Sequence, residues 1–258
     1  MANLKSKNYF RIIARLDIKN ENLIKGIHLE GLRKLGNPNE FAKNYYDDGI
    51  DEIIYMDSVA SLYGRNSLES ILEKTVKNVF VPITAGGGIR SVNDAKKMLL
   101  NGADKVAINS AAIKNPKLIS ELANTFGSQS IVISIEAKNI GDEKWEAYID
   151  NGREKTGKNV FDWTKQAIEL GAGEILITSI DKEGTLRGFD FDLAQKISKY
   201  SSVPIIISGG MSKVSDIEKL LEESKIDAVA IAAFIHYKKM KISEIKKKLN
   251  ETTERIRN

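Results

Sequence analysis

The stretch GIDEIIYMD at residues 49–57 returns as GAGEILITS at 171–179, and VPITAGGGI at 81–89 returns as VPIIISGGM at 203–211, both displaced by the same 122 positions. GADKVAI at 102–108 matches KIDAVAI at 225–231 with one further residue of shift. A chain whose second half repeats its first is built from two copies of one unit, and each copy completes its core against the other. The content of the unit follows from eight short apolar runs: RIIARLD, EIIYMD, VPITAGGG, KVAINS, IVISIEA, EILITSI, VPIIISGG and AVAIAAF. Between them lie amphipathic segments such as NPNEFAKNYYDDG, SVNDAKKMLLNG, NPKLISELANTFG, VFDWTKQAIELG and VSDIEKLLEES. Several open on Asn, Asp or Pro and close on Gly, as helix caps do. Strands alternating with helices make a parallel sheet, and eight such units close it into a (β/α)8 TIM barrel whose two halves are the two repeats. At 258 residues the chain has the length of one such barrel, so residues 1–258 read as a single domain.

Composition removes several chemistries. There is no cysteine, and His28 and His236 are the only histidines. Disulfides, thiolate nucleophiles and histidine-rich or thiolate metal centres are therefore not expected, and nothing requires a cofactor. No apolar run approaches the ~20 residues that cross a bilayer. The opening MANLKSKNYF lacks the apolar core of a secretory signal, so a cytoplasmic protein is expected. The net charge of +4 comes largely from HYKKMKISEIKKKLNETTERIRN. Ile242, Ile245 and Leu249 give that segment helical spacing, and stacking aromatics are not interleaved with its lysines. It reads as a terminal helix with a solvated basic face, not as a nucleic-acid arm.

The runs RIIARLD and IVISIEA lead into the carboxylates Asp17 and Glu136. The repeat pairs the first strand with the fifth. The two acids then face each other at the C-terminal end of the barrel, where catalytic groups of this fold sit. One acid at a strand end serves as readily to cap a turn; two related by a repeat favour a general base and a general acid separated by environment. AGGGI at 85–89, with Gly86, Gly87 and Gly88, precedes a helix, and SGGMS at 208–212, with Gly209 and Gly210, is its repeat mate. Backbone approaches an anion closely only where side chains are absent, and helix starts supply N–H donors. The neighbouring strand ends AINSA, with Asn109 and Ser110, and AIAAF, with Ala233, complete two candidate phosphate cradles. Glycines at strand ends also serve plain turns. A ligand with two phosphates would span the mouth between Asp17 and Glu136.

RIIARLDIK, GIDEIIYMD, GGGI, GADKVAIN, TFGSQSIVISIEAK, GAGEILITSIDKEGT and PIIISGGM, in that order over nearly the whole chain, resemble the cyclase subunit of imidazole glycerol phosphate synthase, the HisF family. The resemblance implies a barrel that receives ammonia from a glutaminase (HisH-like) subunit docked at its N-terminal face. The ammonia passes to the C-terminal face and attacks a bisphosphorylated aminoimidazole carboxamide ribonucleotide. Imidazole glycerol phosphate and an aminoimidazole carboxamide ribotide are released. An entrance collar is implied at Arg11, Glu52, Lys105 and Glu174, with Asp104 facing the glutaminase. Two cations and two acids inside a barrel must pair mutually. The collar is then an ammonia gate or a structural plug, and the resemblance favours the gate. At the reaction end the resemblance implies Asp17 as base, Lys25 in the loop that follows, and Thr178, Glu183 and Gly184 in contact with substrate.

The chain departs from the family pattern at four of these places. The strand-five acid, normally aspartate, is Glu136; the second aspartate after strand six is Glu183; a serine of the strand-eight phosphate site is Ala233; and the cysteine two residues before Asp17 is Arg15. An extra methylene moves a carboxyl group by about an ångström, which can cost roughly 10²-fold in rate. Strand alternation puts Arg15 on the interior face with Arg11 and Asp17. There it adds bulk and permanent charge to the ammonia path, and it is expected to pair with Asp17 or Glu136 and lower that acid's pKa. An intact entrance beside an altered substrate end points first to a HisF paralogue serving another acceptor. Its ammonia would form an acetamidino group on a nucleotide-linked N-acetyl sugar in surface-glycan synthesis, beside a sugar amidotransferase. The alternative is the authentic cyclase of histidine biosynthesis, and a third reading is a non-catalytic partner that stabilises its glutaminase. The loop NENLIKGIHLEGLRKLGNPN is long enough for a lid. His28 within it reads as a loop contact, and His236 as packing or capping.

Overall fold

Each of the eight apolar runs contains a strand in the computed structural model, which describes residues 9–60, 68–253, 255 and 256. The strands are β1 (Arg11–Lys19), β2 (Glu52–Asp57), β3 (Ile83–Gly86), β4 (Lys105–Ile108), β5 (Ile131–Asn139), β6 (Glu174–Ser179), β7 (Ile205–Ser208) and β8 (Ala228–Ile231). Each pairs in parallel with its neighbours in sequence, and β8 pairs back on β1 to close the barrel. The strands read as unbroken apolar runs because both faces are buried. In β1, Ile12, Ala14 and Leu16 pack among the outer helices while Ile13 belongs to the lumen.

A helix follows every strand on the outside, beginning with Pro38–Asp47 after β1 and ending with Ile242–Asn250 after β8. The helix starts obey capping chemistry. Asn37, Ser91 and Asn159 accept first-turn N–H groups on their side chains, and Pro38 sits in a first turn, where its missing N–H costs nothing. Among the described residues no helix is long and apolar enough to cross a membrane.

The repeat is visible as strand register. Ile53 pairs with Ile83 as Ile175 pairs with Ile205, and Ile13 pairs with Glu52 as Val132 pairs with Glu174. Even the strand latches recur: Asp104 accepts the Ile83 N–H at 2.8 Å, and Asp227 accepts the Ile205 N–H at 3.0 Å.

Two antiparallel hairpins stand where the apolar runs suggested only connections. Asn22–Ile27 with Glu30–Gly36 extends β1, and Trp145–Ile149 with Glu154–Asn159 extends β5. They are equivalent under the repeat. The second has a sequence signal, the alternating buried Trp145, Ala147 and Ile149 followed by Asp150, Asn151 and Gly152 at φ of 52°, 59° and 75°. The first turns on His28 and Leu29 at φ of 53° and 64°. Bulky residues rarely enter that region, so tertiary contacts and not propensity hold this tip.

Inside the barrel an apolar layer that includes Ile13, Ile54, Ala107, Val132, Leu176 and Ile206 fills the waist. It separates a charged collar at the N-terminal end from a charged cluster at the C-terminal end.

Candidate active site

Arg11, Glu52, Lys105 and Glu174 are the first residues of β1, β2, β4 and β6, and their side chains meet at the N-terminal end of the lumen. Arg11 reaches Glu52 at 2.8 Å and Glu174 at 2.7 Å; Lys105 reaches Glu174 at 2.8 Å and Glu52 at 3.4 Å. The four charges alternate in a closed ring in which each has two opposite neighbours. Burial opposes the Arg11 charge, and Glu174 and Glu52 outweigh it, so its pKa is raised. The Arg11 and Lys105 side chains keep 21% and 19% of their surface exposed, so the ring is wet on one side. Asp104 lies exposed beside it, with one carboxylate oxygen committed to Ile83.

At the other end Arg15 is 1% exposed. Its Nε donates to Asp17 Oδ1 at 2.9 Å, and its Nη1 donates to Thr178 Oγ1 at 2.7 Å and to Ser208 Oγ at 3.4 Å. The guanidinium therefore crosses the lumen from β1 to β6 and β7. Thr178, which the resemblance places against substrate, is fully buried, and its hydroxyl oxygen accepts from Arg15. Lys25, from the first hairpin, donates to Asp17 Oδ2 at 3.2 Å and pairs with Glu183. Burial works against the Lys25 charge, as Arg15 does, but Glu183 and Asp17 prevail and its pKa is raised.

Of the two acids open to Arg15, it takes Asp17. Burial pushes the Asp17 carboxyl up, yet Arg15 and Lys25, one on each oxygen, bring it down to about 2. Glu136 goes the other way. Burial pushes it up to about 7 against the Gly152 N–H, which donates to Oε2 at 2.7 Å, and against Arg15; Asp17 and Asp150 add to the rise. Asp17 stays ionised, and Glu136 titrates near neutrality.

The first hairpin lies shut over this cluster. His28 donates through its backbone N–H to the Glu183 carbonyl at 2.9 Å and through Nδ1 to the Ile180 carbonyl at 2.9 Å. Asn151, in the turn of the second hairpin, donates to the Leu29 carbonyl at 3.0 Å. His28 is thus the loop contact expected of it, and the two hairpins meet above the barrel. Lys25 and Glu183 are buried underneath. The mouth is consequently not the open groove from Asp17 to Glu136 that the strand ends suggest, because the hairpin divides it.

Two cavities at repeat-related positions lie among the described residues of the mouth. One is lined by Gly87, Gly88, Asn109, Ser110, Ser134 and Glu136; the other by Glu183, Gly184, Gly209, Gly210 and Ala233. Gly87 and Gly209 have φ of 94° and 100°, and a Cβ at Gly87 would lie 2.3 Å from the Asp57 carbonyl oxygen. Gly86 is different: a Cβ there would meet Met56 Sδ at 2.7 Å, so it makes room for packing and does not line the cavity. The short helices Ser110–Lys114 and Ala233–His236 begin at these cavities without a side-chain cap, leaving first-turn N–H groups for another acceptor. Asn109 and Ser110 are held by the second hairpin, through the Tyr148 carbonyl at 3.1 Å and Asp150 at 3.3 Å. Sequence patterning does not single out Ser134, Asn151, Gly152 or Ser208 as site residues, although Ser134 and Ser208 lie within quoted runs and Asn151 and Gly152 mark a turn.

With this geometry in view, comparison with known proteins is decisive for kinship. The model of the family described as "Histidine biosynthesis protein" matches residues 11–241. "Imidazole glycerol phosphate synthase subunit HisF" of Legionella pneumophila is 61% identical over 206 residues, covering 80% of this chain and 97% of the relative. The chain belongs to the HisF family. HisF of Bacillus cereus strain Q1 is 44% identical over 247 residues, 96% of this chain and 98% of the relative, and that of strain ATCC 10987 gives the same figures. These HisF names agree with the authentic-cyclase alternative, and none of them speaks for the surface-glycan branch.

Within a HisF barrel the departures acquire places. Glu136 stands in the first cavity and Glu183 in the second, while Arg15 fills lumen between them and the waist. His236 is buried, stacks on Tyr45 with Nδ1 2.7 Å from the phenol oxygen, and burial pushes its pKa down to about 3, which makes it a neutral packing residue. Among the described residues no group of three His, Cys, Asp or Glu could hold a metal ion.

Proposed function

We propose that the chain is the cyclase subunit of an imidazole glycerol phosphate synthase. It takes ammonia from a HisH-type glutaminase at the collar and adds it to a bisphosphorylated aminoimidazole carboxamide ribonucleotide at the C-terminal cavities. The observation that carries this reading is the pairing of a closed four-charge collar at one end of the lumen with two repeat-related glycine cavities at the other. Two anion sites on one barrel suit a ligand with a phosphate at each end, and a salt-bridge ring wet on one side can open and reclose at modest cost. Asp104 and the collar residues would then face the glutaminase, and Gly87, Gly88, Gly209 and Gly210 would hold the phosphates. Asn109, Ser110, Gly184 and Ala233 would border them.

For substrate to enter, the first hairpin must lift, breaking the bonds of His28 and Asn151 and freeing Lys25 from Glu183. Lid motion of this kind sequesters the reaction from water when it closes again. A second reading, ammonia delivery to an acetamido group on a nucleotide-linked sugar beside a sugar amidotransferase, is favoured by one observation: Arg15 occupies both the lumen and the strand-one acid. A partner that only stabilises its glutaminase would need neither cavity. The test supplies ammonium salt and the ribonucleotide to the purified chain and follows loss of the ribonucleotide. Turnover at the rate of a HisF cyclase is the expected result. Absence of turnover, with ammonia released through the complex onto a nucleotide sugar, would establish the second reading.

A further inference from the structure

Asp17 and Glu136 are equivalent by repeat but not by wiring. Each Asp17 oxygen has its own cation, Arg15 at 2.9 Å and Lys25 at 3.2 Å, and Asp17 lines neither cavity. Glu136 lines the first cavity, its Oε2 takes the Gly152 N–H, and among the described residues no cation lies within 4.0 Å of it. We infer that in this chain Glu136 alone carries protons in both directions of the ammonia-addition step, while Asp17 is a positioning residue that fixes Arg15 and Lys25. The inference rests on the cyclase reading for its substrate and departs from a division of labour between two acids.

The step balances around one carboxylate. Ammonia adds to a carbonyl carbon, forming a C–N bond and leaving positive nitrogen and negative oxygen. The Glu136 carboxylate takes a proton from nitrogen and returns it, as the carboxylic acid, to oxygen. A second passage protonates the hydroxyl as the C–O bond breaks, so that water leaves and the nitrogen is left as an imine. A single group can serve twice only if its pKa lies near the working pH, and burial places Glu136 at about 7. The charges facing it are Arg15 and Asp17 from β1 and Asp150 from the second hairpin. An Asp17 carboxylate held near 2 and fenced by two cations is a poor base.

The experiment has two arms on the full chain. First, ¹³C NMR of carboxyl-labelled protein follows both acids through pH: Glu136 titrates near neutrality, and Asp17 stays ionised over the same range. Asp17 titrating near neutrality, or Glu136 fully ionised in mild acid, would overturn the inference. Second, ammonia-driven turnover of the ribonucleotide is measured against pH with free ammonia saturating. Glu136→Gln lowers turnover by about 10²–10⁴-fold and removes the neutral limb of the profile. Asp17→Asn lowers turnover too, because it unbalances Arg15 and Lys25, but it keeps that limb and moves it to lower pH, since loss of a neighbouring anion favours ionised Glu136. A neutral limb that survives in Glu136→Gln and vanishes in Asp17→Asn overturns the assignment alone. No turnover by the wild-type chain overturns the cyclase reading and the step with it.

Discussion

At the N-terminal end of the lumen, Arg11 and Lys105 each touch both Glu52 and Glu174; at the C-terminal end, Arg15, Asp17, Lys25 and Glu183 form a chain. Both sets contain two cations and two acids. In the ring every charge that loses a partner keeps another, and the two cations stay partly exposed. In the chain the terminal charges, Arg15 and Glu183, have one ionic partner each, and the hairpin excludes solvent. The chain also has a fifth member nearby. Were Glu136 ionised, three acids would face two cations, and burial keeps a proton on it up to about pH 7. The same residue types thus give a collar that tolerates opening and a mouth whose charge imbalance tunes one acid.

The comparison breaks most visibly at Lys25. Lys25→Met removes the link between Asp17 and Glu183 and leaves buried carboxylates with Arg15 alone. Losing one partner of a buried pair costs about 3–5 kcal/mol. Chemical denaturation of the variant should show that loss, accompanied by faster hydrogen exchange in residues 22–36, since Lys25 also anchors the hairpin. A loss no larger than that of a collar variant would mean that the mouth cluster is not dry.

The next effect tests the imbalance through pH. The folded pKa of Glu136 lies above its unfolded value, so the native state holds the proton more tightly and stability is lost as pH rises from about 4.5 to about 7. The loss is on the order of 3 kcal/mol and constant above that range. Glu136→Gln, neutral at every pH, should therefore be more stable than the wild type in mild alkali and indistinguishable from it below about pH 4.5. Asp17 carries the opposite sign. Its folded pKa is depressed, so its contribution is present above the unfolded pKa and disappears as pH falls through about 2. A Glu136→Gln variant without an alkaline gain would place Glu136 among the ionised members of the cluster.

How much of this was legible before folding depends on whether a feature is periodic or relational. The eight strands, the collar and the glycines repeat at fixed offsets or sit at fixed points of a strand, and strand alternation alone sends Arg11, Arg15 and Asp17 inward. Arg15's choice of Asp17 over Glu136 depends on which way a long side chain folds across the lumen, and no spacing encodes that. Thr178 shows the same limit: its strand-end position is legible, but its engagement by a guanidinium on another strand is not. The first hairpin was hidden for a local reason, because its His28–Leu29 turn lacks the Asn or Gly that marks such turns. The second, with Asp150, Asn151 and Gly152, carries its turn signal openly.

The smallest expected effect belongs to the ring. Lys105→Met leaves Arg11 bridging Glu52 and Glu174, and the side chain it replaces is one-fifth exposed, so water screens what remains. The stability cost should be roughly 1 kcal/mol, several times below that of Lys25→Met. Function should separate the two readings of the collar where stability does not. If the ring gates ammonia, the variant in complex with its glutaminase forms less cyclised product per glutamine hydrolysed, because ammonia escapes to solvent before it enters the barrel. If the ring only plugs the end of the lumen, the ratio of product to glutamate stays at its wild-type value while the small stability loss persists. A large stability loss with an unchanged ratio would reverse the contrast between the two ends, making the collar the structural cluster and leaving ammonia to enter elsewhere.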